Sequence, residues 1–210
     1  MVRSPSPRGG LSPLYANTAD SACEHDPRAG FSLIEVLTIL VVLSIVTALA
    51  APRLDFGRYQ IEGAMQAVGS VLLAAQRTAV QEGHNVVVAF DLAHSRVRVH
   101  SDANNNLLID NGESVLYEPL GESVRFGRGG APSFFETPEA ISFTGRQDGM
   151  PAVVFYRNGA ASEEGGFHLT SARAQSDSGY QQDTRALRIE RATGRPTWFR
   201  REGSSWRQEF

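Results

Sequence analysis

The sequence predicts an α+β protein in which a long N-terminal helix, transmembrane in its first half, packs with its second half on an antiparallel β-sheet head. Three observations lead to this class. Residues 36–52 carry no charge, residues 53–83 show an amphipathic helical pattern, and residues 84–210 contain short strand-like segments separated by glycine and asparagine. The order of these patterns places the helix before the sheet.

Composition restricts the function classes. With 41% hydrophobic and 20% charged residues, the 210-residue chain has the make-up of a globular protein. A formal net charge of −3 argues against a dedicated polyanion binder. The single cysteine, Cys23, precedes the apolar run, so a chain cleaved after Gly30 has neither a disulfide nor a thiol site.

The apolar run, residues 31–52, follows a polar leader, residues 1–30, that is rich in proline, serine, glycine and alanine. About 20 apolar residues suffice to cross a bilayer as a helix. Arg28 is the last charge before the run and predicts that this side stays in the cytoplasm. Glu35, however, lies inside the run, where a carboxylate costs about 2.5–3.5 kcal/mol and usually indicates a function.

Three interpretations of this segment are open on the residues alone. It can be a plain transmembrane anchor. It can be a secretory signal cut near Ala48-Leu49-Ala50, although signal sequences seldom contain a carboxylate such as Glu35. In the third interpretation Gly30, Phe31 and Glu35 form one functional unit.

The third interpretation rests on the motif Gly30-Phe31-Ser32-Leu33-Ile34-Glu35. It resembles the hallmark of the type IV pilin and type II secretion pseudopilin superfamily, which implies a pilin-like fold. The resemblance implies that a prepilin peptidase cuts after Gly30 and methylates the new amino terminus on Phe31. It also implies that Glu35 pairs with the amino terminus of a neighbouring subunit, and that Pro52 kinks the helix. The leader departs from the family pattern, because it is long and acidic where most are short and basic.

Residues 53–83 continue the helix with an amphipathic pattern. Apolar residues recur at three- and four-residue steps and share one face: Ile61, Ala64, Met65, Val68, Leu72, Ala75 and Ala79. Gly83 is a helix stop. We expect the stripe to pack on the chain's own sheet.

From residue 84 onward the pattern changes to strands. The predicted strands are 86–91, 95–102, 114–120, 123–127, 140–145, 152–159, 165–171, 186–192 and 196–202. The order of elements, with the turn Thr193-Gly194-Arg195 before the last strand, is similar to the GspH/FimT subgroup of the superfamily. This resemblance implies a periplasmic β head over residues 84–210.

Residues 102–113 hold oxygen-bearing side chains at the ligand spacing of an EF-hand calcium loop. These residues are Asp102, Asn104, Asn106, Asp110 and Glu113. Leu107 occupies the position where that loop needs glycine, and asparagine-rich turns between strands are common. Calcium binding is therefore one hypothesis for the loop, beside that of an ordinary turn, and no other cofactor is predicted.

The C-terminal segment, residues 185–207, carries seven arginines against two glutamates, interleaved with tryptophan and phenylalanine. This composition is compatible with nucleic-acid binding, with Arg195, Arg200 and Arg201 as the candidate contacts. FimT-type proteins resemble DNA receptors with a Gly-Arg-x-Arg motif, but Thr197 replaces the second arginine here. A solvated strand edge is the alternative interpretation.

No enzyme motif is present in the sequence, and the five histidines show no ligand spacing. The resemblance implies a minor pseudopilin of a type II secretion system, single-pass in the inner membrane with its head in the periplasm, and in the pseudopilus after assembly. Its partners would be other pseudopilins or minor pilins, the prepilin peptidase and the inner-membrane assembly platform. A FimT-like minor type IV pilin, in pilus assembly or DNA uptake, is the alternative. A signal-cleaved periplasmic binding domain is a third class.

Overall fold

The computed structural model describes residues 30–50 and 56–209. The chain divides into two units, with the boundary between Ala51 and Pro52, and each is described by itself. The leader before Gly30 and the predicted kink at Pro52 lie outside the described residues.

Helix α1, Leu33–Ala50, forms the first unit. Its leucine, isoleucine, valine and alanine residues leave no polar face, and Glu35 is the one charge in its sequence. The large apolar side chains are exposed, from 46% at Val36 to 83% at Leu33. In the part of the chain that the structure describes, no helix has both the length and the apolar character needed to cross a membrane.

Helix α2, Phe56–Glu82, opens the second unit and carries the predicted stripe. All seven stripe residues, from Ile61 to Ala79, are buried, with at most 7% of their surface exposed. The helix ends where expected, because Gly83 adopts φ +74° and donates its N–H to the Ala79 carbonyl at 3.1 Å. Both the stripe and the stop are thereby confirmed.

The strands form two five-stranded sheets, each with antiparallel neighbours. The first sheet has the order β3-β2-β1-β6-β5 and the second β10-β9-β8-β7-β4. The strands are β1 (Asn85–Asp91), β2 (Arg96–Asp102), β3 (Ser114–Pro119), β4 (Val124–Phe126), β5 (Arg146–Gln147), β6 (Met150–Phe155), β7 (Gly165–Ser171), β8 (Arg185–Ile189), β9 (Pro196–Glu202) and β10 (Ser205–Glu209). A short helix α3, Ala172–Ser176, and a 3₁₀ segment, Ser178–Asp183, join β7 to β8. The α+β class, with the helix first and antiparallel strands after it, is confirmed.

The predicted strand at 140–145 is wrong. The segment pairs with β7 only at its start, where Ile141 forms an isolated bridge to Phe167. Its end turns to the other sheet, where the Gly145 carbonyl accepts the Ala152 N–H at 2.9 Å. A segment that changes partner within six residues cannot form a continuous ladder.

The core lies between α2 and both sheets. Its centre is a group of phenylalanines around Phe90 of β1. The rings of Phe143, Phe167 and Phe126 lie 5.4, 4.9 and 5.8 Å from the Phe90 ring. Such aromatic pairs stabilise beyond the area they bury, and this group joins residues of both sheets under one helix.

Candidate functional site

The N-terminal motif lies at the start of α1. Gly30 and Phe31 precede the first helical turn, and the Phe31 side chain is 76% exposed. Helix formation begins when the Glu35 and Val36 N–H groups donate to the Ser32 carbonyl, at 2.9 and 3.1 Å. The Gly30–Phe31 bond is therefore in non-helical, accessible backbone.

Glu35 lies in the first turn of α1. A carboxylate is favoured there, because the unpaired N–H groups of a helix start carry partial positive charge. The hydroxyls of Thr38, Ser44 and Thr47 bond to carbonyls three or four residues back, at 2.7–2.8 Å. Glu35 is thus the residue of α1 best placed to bind a charge supplied from outside the helix.

The Thr193-Gly194-Arg195 turn is fixed against α2. The Gln76 amide of α2 donates to the carbonyls of Thr193 and of Gly159, the latter at 2.8 Å. Gly194 adopts φ +64°, and a Cβ there would lie 2.3 Å from the Gly159 carbonyl oxygen. A side chain at this position would collide with the Gly159 carbonyl oxygen, and the positive φ is unfavourable for other residues. Both reasons explain why the turn has glycine at position 194.

The predicted calcium loop is folded around its own carboxylates. Asp102 accepts backbone N–H groups of Asn106 and Leu107, at 3.0 and 2.9 Å. Asp110 accepts the side-chain amides of Asn104 and Asn106, at 2.8 and 2.6 Å. Within the described residues, no three His, Cys, Asp or Glu side chains are grouped to hold a metal ion. Calcium binding at this loop stays a prediction.

Glu113 closes the loop onto the sheet. Its carboxylate accepts the N–H groups of Ala103 and Asp110, both at 3.0 Å, and contacts Nε2 of buried His100 at 2.8 Å. The Asp110 N–H and the His100 ring lower the pKa of the Glu113 carboxyl. On the other side of the ring, the Gln147 amide lies 2.9 Å from His100 Nδ1 and donates to the Leu107 carbonyl at 3.0 Å. The loop is therefore held by hydrogen bonds along its length.

The C-terminal arginines do not form one basic surface. Arg200 pairs with Glu202 at 2.9 Å and with Glu209 at 3.0 Å. Arg201 is the next residue along β9, so its side chain leaves the opposite face of the sheet. Arg195, in the turn before β9, is exposed. Binding of nucleic acid by these three residues stays a prediction.

His168 of β7 is buried and attaches the segment before residue 140 to the second sheet. Its Nε2 accepts the Phe134 N–H at 3.0 Å, and its Nδ1 lies 3.2 Å from the Ala140 carbonyl. Burial lowers the pKa of His168 to about 4, although the bond to Ala140 favours the charged form. The neutral ring, protonated on Nδ1, satisfies both contacts.

Sequence reasoning did not identify Gln76, His168 or the His100–Gln147 contact. Their partners lie far along the chain; Gln76, for example, is separated by 83 residues from Gly159. The available sequence signals were a polar residue beside the α2 stripe, Gln76, and a histidine within an apolar strand, His168. Neither signal indicates which distant residue forms the contact.

Comparison with known proteins supports the N-terminal motif. Residues 26–51 match the model of the prokaryotic N-terminal methylation motif. This match confirms that the segment around residues 30–35 is an N-terminal methylation motif, as the sequence predicts. No curated protein matches the chain.

Two solved structures are similar to the chain. A structure of the minor pseudopilin EpsH from the Type 2 Secretion System of Vibrio cholerae has a TM-score of 0.42 and 11% identity, covering 71% of this chain and 96% of that one. A crystal structure of the same pseudopilin has a TM-score of 0.35 and 15% identity, covering 72% and 94%.

Proposed function

We propose that this chain, which carries the N-terminal methylation motif, is a minor pseudopilin: a structural subunit that a membrane holds until it joins a filament of a type II secretion system. The observation that carries the proposal is the motif itself, at residues 26–51, placed directly before an apolar helix. The mature subunit would begin with methylated Phe31. Its head, residues 56–209, would lie in the periplasm.

Helix α1 has the character that such a subunit needs. A helix that is apolar on every side requires apolar surroundings, either lipid or the packed centre of an assembly. Its exposed side chains lack such surroundings within the described chain. We therefore infer that α1 is buried first in the inner membrane and then among the helices of neighbouring subunits.

Glu35 would make assembly specific. Cleavage after Gly30 creates a positive amino terminus on Phe31, and a carboxylate in apolar surroundings is strongly stabilised by such a partner. Pairing Glu35 with the amino terminus of a neighbour would offset part of the desolvation cost of both charges. It also fixes the axial position of one α1 relative to the next.

The mature amino terminus tests this proposal. The full chain is expressed in cells that contain a prepilin peptidase, and the purified protein is analysed by N-terminal sequencing and mass spectrometry. N-methylated Phe31 is the expected first residue. A free amino terminus near Ala51, as for a secretory signal, contradicts the proposal.

Gly30→Val is the matched control. An added Cβ at Gly30 meets no atom within 4 Å, so the chain itself tolerates the side chain. Loss of cleavage in this variant would then report recognition by the peptidase. Glu35→Val should still be cleaved.

The alternative function, a FimT-like minor type IV pilin, is favoured by one observation. Arg195 is exposed in the Thr-Gly-Arg turn, where it could contact a DNA backbone. A mobility-shift assay of the full chain in detergent at low salt, with Arg195→Ala for comparison, tests DNA binding. In cells, deletion should leave secreted proteins in the periplasm if the secretion proposal holds, and should abolish pili or DNA uptake if the alternative does.

A further inference from the structure

Two asparagines of the chain directly precede a glycine, Asn111 and Asn158. Asparagine is chemically labile, and most so before glycine, because glycine has no side chain to hinder approach of its backbone nitrogen to the asparagine amide carbon. The proposed function uses neither pair. The fold gives the two pairs different surroundings, and these surroundings decide which of them reacts.

The first pair, Asn111-Gly112, lies in an open turn. Both residues are exposed, and a Cβ built at Gly112, whose φ is +95°, meets no atom within 4 Å. Across the turn, the Glu113 N–H donates to the Asp110 carbonyl at 3.3 Å, which is longer than a typical bond of this kind. Among the hydrogen bonds of the described residues, none involves the Asn111 amide or the Gly112 N–H. Both reacting groups are therefore unrestrained and accessible to water.

The second pair, Asn158-Gly159, is held by hydrogen bonds at the same groups. The Asn158 Oδ1 accepts the Ala160 N–H at 3.0 Å, and the Gly159 N–H donates to the Tyr156 carbonyl at 2.8 Å. The Gly159 carbonyl accepts the Gln76 amide at 2.8 Å, which holds this turn against α2. The first two bonds must open before the Gly159 nitrogen can reach the Asn158 side chain.

We propose that Asn111 is a site of spontaneous deamidation in the folded chain, and that the fold protects Asn158. The Gly112 nitrogen loses its proton to a hydroxide ion and bonds to the Asn111 Cγ, and the side-chain nitrogen takes a proton from water and leaves as ammonia. Water then opens the resulting cyclic succinimide. Breaking the bond from the Gly112 nitrogen to Cγ yields aspartate, and breaking its bond to the main-chain carbonyl carbon yields isoaspartate. The inference goes beyond the proposed function and does not depend on it.

The products change a turn that holds the loop 103–112. Aspartate at position 111 adds a negative charge between Asp110 and Glu113, and isoaspartate also adds a carbon to the backbone there. The Glu113 carboxylate accepts the N–H groups of Ala103 and Asp110, both at 3.0 Å, and so fixes the loop at two points. Deamidation should weaken these two bonds, through repulsion between carboxylates and through displacement of Glu113.

Peptide mass spectrometry tests the site. The full chain in detergent is incubated at mildly alkaline pH and then cleaved after arginine, which places the two pairs in separate peptides, residues 99–125 and 158–173. Fragmentation locates the change from amide to carboxylate and distinguishes isoaspartate from aspartate, and a sample taken before incubation corrects for reaction during digestion. We expect conversion at Asn111 to be at least about fivefold faster than at Asn158, because two hydrogen bonds protect the latter.

The unfolded chain is the matched control. In guanidinium chloride the protective bonds of Asn158 are absent, so the two asparagines should react at rates within about twofold of each other. In the folded chain, Asn111→Gln should abolish conversion at position 111 and leave that at Asn158 unchanged, because the longer side chain cyclises much more slowly.

Hydrogen exchange measures the effect on the loop. After conversion of Asn111, the Ala103 and Asp110 amides should exchange at least about threefold faster, whereas the Ala160 amide should be unchanged. Asn111→Asp adds the charge without lengthening the backbone and should produce part of this increase.

Two results would overturn the inference. One is conversion at Asn111 no faster than at Asn158 in the folded chain. The other is an equally strong preference for Asn111 in guanidinium chloride, which would assign the difference to neighbouring residues instead of the fold. Unchanged exchange at Ala103 and Asp110 after full conversion would contradict the effect on the loop.

Discussion

The two long helices of the described chain, α1 and α2, have different surfaces. Helix α1 is apolar on all sides and exposes its leucines and valines, whereas α2 has one apolar stripe that the sheets cover completely. The packing of α2 contributes to the stability of the head. The apolar side chains of α1 are exposed, and in the proposed function they would pack in lipid or against neighbouring subunits.

The comparison teaches where each helix finds its partner. Helix α2 contacts β1 and β7, which belong to different sheets, and so joins the two sheets. The features of α1 that indicate a function are the motif residues just before the helix and Glu35 in its first turn. Changes in α2 should therefore affect folding, and changes in α1 should affect processing and assembly.

The largest effect is expected from removing a buried side chain of α2. Leu72 is 0% exposed, so Leu72→Ala should lower the free energy of unfolding by about 2–5 kcal/mol, through lost burial and the cavity left behind. Chemical denaturation of the full chain in detergent measures it. Leu40→Ala, at a site 58% exposed in α1, is the matched control and should leave head unfolding unchanged. Equal losses in both variants would end the distinction between the helices.

A loss of stability of comparable size is expected at acid pH, because His168 is buried in β7, a strand that contacts α2. The pKa of His168 is about 4 in the folded head and has its ordinary value near 6.5 when unfolded. The folded state therefore favours the neutral ring. The resulting contribution to the free energy of unfolding is fully present above about pH 6.5. It is lost as pH falls towards 4, by up to about 3 kcal/mol.

His168→Gln should flatten the stability profile between pH 6.5 and 4, as measured by denaturation at a series of pH values. If this variant does not fold, NMR titration of the His168 ring in the unmodified protein replaces the measurement. A ring that protonates near pH 6.5 in the folded head would contradict the prediction.

A smaller effect is expected at the polar contact between α2 and the Thr193–Arg195 turn. Gln76→Ala removes the donor to two carbonyls and should destabilise the head by about 1–2 kcal/mol. Gln81→Ala, an exposed glutamine of the same helix, controls for the substitution itself. Thermal melting of both variants distinguishes a specific contact from a change in helix propensity.

The smallest effect on stability is expected at Glu35. Glu35→Ala should change the free energy of head unfolding by less than about 0.5 kcal/mol and should leave cleavage after Gly30 intact. It should nevertheless reduce incorporation into filaments, as measured by the amount of subunit in sheared or purified filaments. Normal incorporation would show that this subunit does not need the pairing.

The features that were predicted from sequence are those encoded locally. The α2 stripe repeats at helical steps from Ile61 to Ala79, and each member proved buried. Strands such as β2 alternate polar and apolar residues and were placed to within a residue or two. Strand β10, Ser-Trp-Arg-Gln-Glu, shows little alternation of apolar residues and was missed.

The features that were not predicted depend on pairing between distant segments. The division into two sheets follows from strand order, which the sequence pattern does not contain. The segment 140–145 has a strand composition but divides its hydrogen bonds between β7 and β6. Similarly, the Gln76 and His168 contacts exist only once the sheets have come together.

In the proposed function α1 would move from lipid into a filament, and its hydroxyl groups bear on that transfer. Thr38, Ser44 and Thr47 bond to carbonyls of their own helix, and so carry their hydrogen-bond partners with them. Because these hydrogen bonds lie within the helix, α1 can pass from one apolar medium to another without breaking a hydrogen bond to the first medium. The Glu35 carboxylate would then be the group of α1 whose electrostatic interactions change most on transfer.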